Sequence, residues 1–149
     1  MLLLVGIAAL LLIANFSLQI GLIEHSTTAI VRASKAEKLG ARPLQDTLLM
    51  ARVLLRVLTV HLVQMALWAT AFLTVGEFED FQTAFYHSAV NFASLGYGDI
   101  IMSERWRLLG ALEAATGMMM FGVSTALLFA IISKIIRNRL DQAGVELPK

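Results

Sequence analysis

The sequence contains no cysteine, which removes any disulfide framework or thiolate site and leaves the redox compartment unreadable. Charge is scarce as well. Only 15% of the 149 residues are Asp, Glu, Lys or Arg, and 58% are hydrophobic, whereas ordinary soluble domains carry about 25% and about 45–50%. Twelve basic and eleven acidic residues leave a net charge of +1, which gives no electrostatic reason to expect a nucleic-acid partner. There is no internal repeat and no low-complexity tract. His25, His61 and His87 fall on separate elements, with no metal-ligand spacing and no nucleophile–base pair, so no enzyme is expected.

The charges that are present avoid three stretches. Met1–Ile23 has none, Val57–Gly76 has at most that of His61, and Leu108–Ser133 has Glu113 alone. A hydrocarbon core about 30 Å thick is crossed by roughly 20 apolar helical residues. Three such helices fit, which excludes a soluble enzyme, a secreted domain or a nucleic-acid binder and makes membrane lipid the surrounding medium. The first stretch lacks a basic start and a small-x-small cleavage site, so it is expected to remain as an anchor.

Orientation follows from the basic residues. Arg32, Lys35, Lys38, Arg42, Arg52 and Arg56 lie around the first connection, and Lys134, Arg137, Arg139 and Lys149 lie at the carboxyl-terminal end. Basic residues beside short spans stay cytoplasmic. An inner-membrane or cell-membrane protein with its amino terminus outside and its carboxyl terminus cytoplasmic keeps ten of the twelve inside. The expected organisation is a first span over 1–23, a partly helical cytoplasmic elbow over 24–47, a module over 48–137 and a short tail over 138–149. Pro43 suits the start of the second helix. Arg52 and Arg56 are read as snorkelling to lipid phosphates.

A fourth apolar stretch, Phe81–Gly98, does not fit a fourth span. Gln82, His87, Ser88, Asn91 and Ser94 interrupt it, Gly96-Tyr97-Gly98 ends it, and another crossing would reverse the orientation. Irregular backbone at membrane depth needs protein or a water-filled cavity beside it. The pattern therefore predicts a re-entrant half-helix, N-capped by Asp80 and ending near Ala93, followed by an extended return strand. Glycines flanking Tyr97 permit backbone angles that let successive carbonyls face one axis. One strand cannot surround an ion, but four around a four-fold axis can replace its water shell. The expected assembly is thus a homotetramer of an all-α, three-span subunit.

The segment Ser94-Leu95-Gly96-Tyr97-Gly98-Asp99 resembles the selectivity filter of tetrameric potassium channels, whose usual form is Thr-Val-Gly-Tyr-Gly-Asp. The preceding half-helix, Trp106 and the run Gly117–Gly122 match that pore module in order and spacing over roughly 52–137. Ser94 for threonine keeps the hydroxyl, and Leu95 for valine changes the branching of the side chain behind the filter. The resemblance implies a passive potassium channel with potassium ions at Ser94, Leu95, Gly96 and Tyr97, Gly98 completing the filter, and no further cofactor. It also implies filter support from Asp99, Tyr86 and His87, with Tyr86 bonded to Asp99 and His87 reaching a neighbouring Tyr97. Gly117 and Gly122 take the place of inner-helix hinge glycines, with close helix packing as the other reading of Gly117. Met118, Phe121 and Thr125 would line the cavity below the filter. A weakly selective cation channel and a non-conducting membrane scaffold are the alternatives.

Glu113 is the one carboxylate deep within a span, and such a residue is by default functional and partnered. It shares a helix face with Gly110 and Gly117. It is therefore expected behind the filter, bonded to a polar group of the half-helix or filter strand, with His87, Ser88 and Asn91 as candidates. His61 and Gln64 are expected to satisfy one another or a neighbour's backbone.

Overall fold

The computed structural model describes residues 2–35, 39–40 and 42–144. Four helices follow in order: α1 (Leu2–Lys35), α2 (Pro43–Thr74), α3 (Phe81–Phe92) and α4 (Arg107–Gln142). The described residues contain no strand. Helices α1, α2 and α4 are each long and apolar enough to cross a membrane, whereas the 12-residue α3 is not among them.

The helix boundaries have local causes. Helix α2 opens on Pro43 at its first turn, where the missing N–H would have had no partner. Asp80 caps α3 by accepting a hydrogen bond from the Thr83 backbone N–H at 2.9 Å. At the start of the connection the structure departs from expectation. Helix α1 does not end at residue 23 but runs on to Lys35, because 24–35 holds no glycine or proline to stop it. The turn falls instead at Leu39-Gly40. Gly40 has φ +86, and a Cβ there would stand 3.0 Å from the Arg139 backbone N. Gly40 N–H donates to Asp46 Oδ1 at 3.0 Å, and Arg139 closes on Asp46 Oδ2 at 3.0 Å. The first connection is thereby fastened to the end of α4. That helix also outruns the expected boundary at 137.

Between spans in lipid the hydrophobic effect is weak, so van der Waals packing and interhelical hydrogen bonds hold them together. Two apolar clusters form the interior. One gathers Leu4 and Ala8 of α1, Trp68 and Phe72 of α2, Phe92 of α3, and Leu109 and Met120 of α4. The other gathers Leu22, Val53, Val57, Leu127, Ile131 and Ile135. Along each long helix, buried polar residues lie between the two: Asn15 and Gln19, His61 and Gln64, and Ser124. Large apolar side chains such as Leu10, Leu55 and Phe129 are exposed at 69%, 64% and 71%, as suits contact with lipid.

Candidate functional site

The site is built around α3 and the loop that follows it. Helix α3 ends in a paired-hydrogen-bond stop: Leu95 N–H donates to Val90 O at 2.9 Å and Ser94 N–H donates to Asn91 O at 2.7 Å. That motif places the residue after the cap in the left-handed region, and here it is Ser94, with φ +57. Glycine usually occupies this position, because a side chain adds strain of about 1 kcal/mol or more. Two residues on, Gly96 has φ +58, and two further on Gly98 has φ +73. Every second residue from 94 to 98 therefore has positive φ. Such alternation opposes helical winding and lets consecutive carbonyls share one side of an extended chain. Leu95 and Tyr97 are exposed at 54% and 65%.

Behind the loop, Tyr86 Oη donates to Asp99 Oδ2 at 2.7 Å. That hydroxyl holds the exposed Asp99 carboxyl below the usual Asp range, because a hydrogen bond to the charged form favours it. The Asp80 carboxyl is likewise lowered by the side chain and backbone N–H of Thr83. Glu77 receives the Ser103 backbone N–H, and its other oxygen accepts from Ser103 Oγ at 2.8 Å. This ties the entry of α3 to the approach of α4, where the Arg105 guanidinium lies 5.0 Å from the centre of the Trp106 ring.

His87 does not meet Tyr97 within the chain. Its Nε2 lies 2.8 Å from Asn91 Nδ2, and its ring packs 5.0 Å from Phe78 and 5.6 Å from Phe72. Ser88 is the residue that joins the helices. Its Oγ is 2.8 Å from the Met65 carbonyl of α2 and 2.5 Å from Glu113 Oε1 of α4. Ser88 and Glu113 are fully buried, and among the described residues Glu113 Oε2 has no hydrogen-bond partner.

Gly117 marks close packing. A Cβ there would stand 2.0 Å from the Phe92 carbonyl oxygen, so the end of α3 rests directly on the backbone of α4. At Gly110 a Cβ would meet Asn91 Nδ2 at 2.9 Å, whereas at Gly122 it would meet nothing within 4 Å. Helix α4 is continuous through both 117 and 122. Met118, Phe121 and Thr125 lie on its exposed side, while Met120 is 1% exposed and belongs to the core.

The polar groups at mid-span form a closed ring. With the proton on Nδ1 of its imidazole, His61 donates to Gln64 Oε1 at 2.8 Å. Gln64 Nε2 donates to Asn15 O at 2.9 Å and to Gln19 Oε1 at 3.3 Å. Gln19 Nε2 donates to Ser124 Oγ at 2.7 Å, and Ser124 returns to His61 Nε2 at 3.1 Å. The His61–Gln64 contact was visible in the sequence. The partners on α1 and α4 are remote in sequence, although Asn15 and Gln19, four apart in a charge-free run, already place two amides on one face.

The described residues contain no group of three or more His, Asp or Glu placed to hold a metal ion. Three long apolar helices, with a short helix packed against α2 and α4 and a loop after it, mark an integral membrane protein. A family model described as ion channel matches residues 58–134, just over half of the chain. The chain belongs to that ion channel family. No curated protein and no solved structure matches it.

Proposed function

We propose that the protein is a subunit of a homotetrameric, potassium-selective channel in the cell membrane, with its amino terminus outside and its carboxyl terminus cytoplasmic. The observation that carries this reading is positive φ at Ser94, Gly96 and Gly98 directly after the end of α3. Four such strands bring rings of carbonyl oxygens around an axis and replace the hydration shell of potassium more completely than that of sodium. The carbonyl end of α3 carries the negative pole of its dipole, which favours a cation beyond it. The exposure of Leu95, Tyr97, Met118 and Phe121 on a single chain supports burial or pore lining in an assembly. In this reading 48–137 is the pore module, α3 re-enters the membrane, and α1 lies outside the module.

Purified protein in liposomes, with bi-ionic reversal potentials, tests the proposal. Selective potassium flux is the expected result. Equal sodium and potassium permeabilities would favour a weakly selective cation channel, for which Leu95 in place of a β-branched residue is the motivating feature. Absence of flux would leave a membrane scaffold.

A further inference from the structure

Near the carboxyl-terminal end of α1, a cleft of about 670 Å³ opens between α1 and α2. Arg56 of α2 faces Glu24, His25, Thr28 and Arg32 of α1 across it, and Gly21 contributes no bulk. Its chemistry is unbalanced. Two guanidiniums face one carboxylate, and among the described residues neither arginine has a carboxylate within the 4.0 Å of an ion pair. Arg56 is also the one half-buried Lys or Arg among the described residues, the others being exposed. By contrast, the exposed Arg139 is paired with the buried Asp46 at 3.0 Å. A partly desolvated guanidinium without a counter-ion calls for an anion.

Depth selects the kind of anion. At 1.5 Å per residue, Arg56 lies about 27 Å along α2 from its Thr74 end, and Glu24 lies about 33 Å along α1 from Leu2. Both distances are close to the hydrocarbon thickness of about 30 Å. The cleft therefore opens where lipid headgroups begin, with Arg32 roughly two helical turns further out. Guanidinium forks match phosphate oxygens in pairs.

We infer that the Arg32–Arg56 cleft is a binding site for a phosphate, supplied by the headgroup of an anionic phospholipid in the leaflet at the carboxyl-terminal end of α1. Glu24, on the same wall, weakens the site and excludes headgroups that carry more negative charge than the two arginines balance. The inference depends on the three membrane spans and is independent of ion conduction.

The test uses the full chain in a neutral detergent, with the thermal unfolding midpoint followed against added phosphatidylglycerol, phosphatidylcholine or inorganic phosphate. Phosphatidylglycerol is expected to raise the midpoint saturably, and phosphatidylcholine, whose ammonium offsets its phosphate, much less. Arg56→Gln and Arg32→Gln should each weaken the apparent affinity about tenfold, the loss of one charge-assisted pair. Glu24→Gln should tighten it, and the exposed Arg137→Gln should leave it unchanged. If Arg56→Gln does not fold, Arg56→Lys and the opposite sign of Glu24→Gln carry the decision. The same phosphatidylglycerol response in wild type, Arg32→Gln and Glu24→Gln would overturn the site. Full stabilisation by inorganic phosphate alone would overturn the lipid as its source.

Discussion

Gln19 of α1 and Ser124 of α4, separated by 105 positions in the chain, are joined by a buried 2.7 Å hydrogen bond. It is one side of the ring His61–Gln64–Gln19–Ser124, in which each side chain donates to the next. The ring gives α1, which lies outside the family match at 58–134, a fixed rotation and depth against the other spans. In lipid a displaced polar side chain finds no water to replace its lost partner.

Ser124→Ala should therefore destabilise the protein by about 1–3 kcal/mol, because Gln19 Nε2 and His61 Nε2 both lose a partner in a buried site. Gln19→Leu should cost a comparable amount. The double variant should cost clearly less than the sum, since both remove the same bond. Thermal unfolding of the detergent-solubilised protein measures all three, and strict additivity would show that the ring does not act as a unit.

Gly117→Ala separates packing from hinging. The added methyl group would have to occupy space 2.0 Å from the Phe92 carbonyl oxygen, and moving α3 off α4 should cost about 1–3 kcal/mol or more. Gly122→Ala meets nothing within 4 Å and should stay within about 0.5 kcal/mol of wild type. If instead Gly117→Ala melts like wild type and alters only channel opening, position 117 serves as a hinge and not as a seat for α3.

Tyr86→Phe removes the hydroxyl that holds the Asp99 carboxyl below its ordinary range. Asp99 in the wild type should titrate below the ordinary 3.8, and in the variant its midpoint should move upward. A lowered carboxyl contributes stability that is complete above its unfolded value and is lost as pH falls through its folded value. The stability difference between wild type and Tyr86→Phe should therefore be flat from about pH 5 to pH 8 and shrink only in stronger acid. A difference that varies through neutral pH would assign the effect to another group.

Much of this arrangement was legible from residue type and spacing. Long charge-free runs mark the three spans, and Asp80 and the Gly-Tyr-Gly sequence bound α3 and its loop. The carboxylate at 113, between Gly110 and Gly117, was already on the face that meets α3. Two features were not legible, for different reasons. The extent of α1 past residue 23 follows from a stretch, 24–35, that is more polar but holds no glycine or proline to stop a helix, which hydropathy alone does not register. The ring needs Ser124 to meet Gln19, and no local pattern encodes that meeting.

The buried pair of Ser88 and Glu113 gives the last prediction. Ser88 Oγ touches both the Met65 carbonyl and Glu113 Oε1, so one hydroxyl links α2, α3 and α4 behind the loop. Its single proton can serve only one of two acceptors at a time. Glu113→Gln keeps the size of the side chain and presents an N–H that can donate to Ser88 while Ser88 donates to Met65. It should therefore retain stability to within about 1 kcal/mol. Glu113→Ala removes the link and leaves a cavity beside α3, with an expected loss of about 2–4 kcal/mol. Ser88→Ala should cost about 1–3 kcal/mol, and its effect should nearly vanish in the Glu113→Ala background if the hydroxyl and carboxyl act together. The same variants, measured for potassium-to-sodium permeability ratio, distinguish a support of the loop from a mere core contact. A lowered ratio in Glu113→Ala with a retained ratio in Glu113→Gln supports the first, and unchanged ratios in both confine Glu113 to the second.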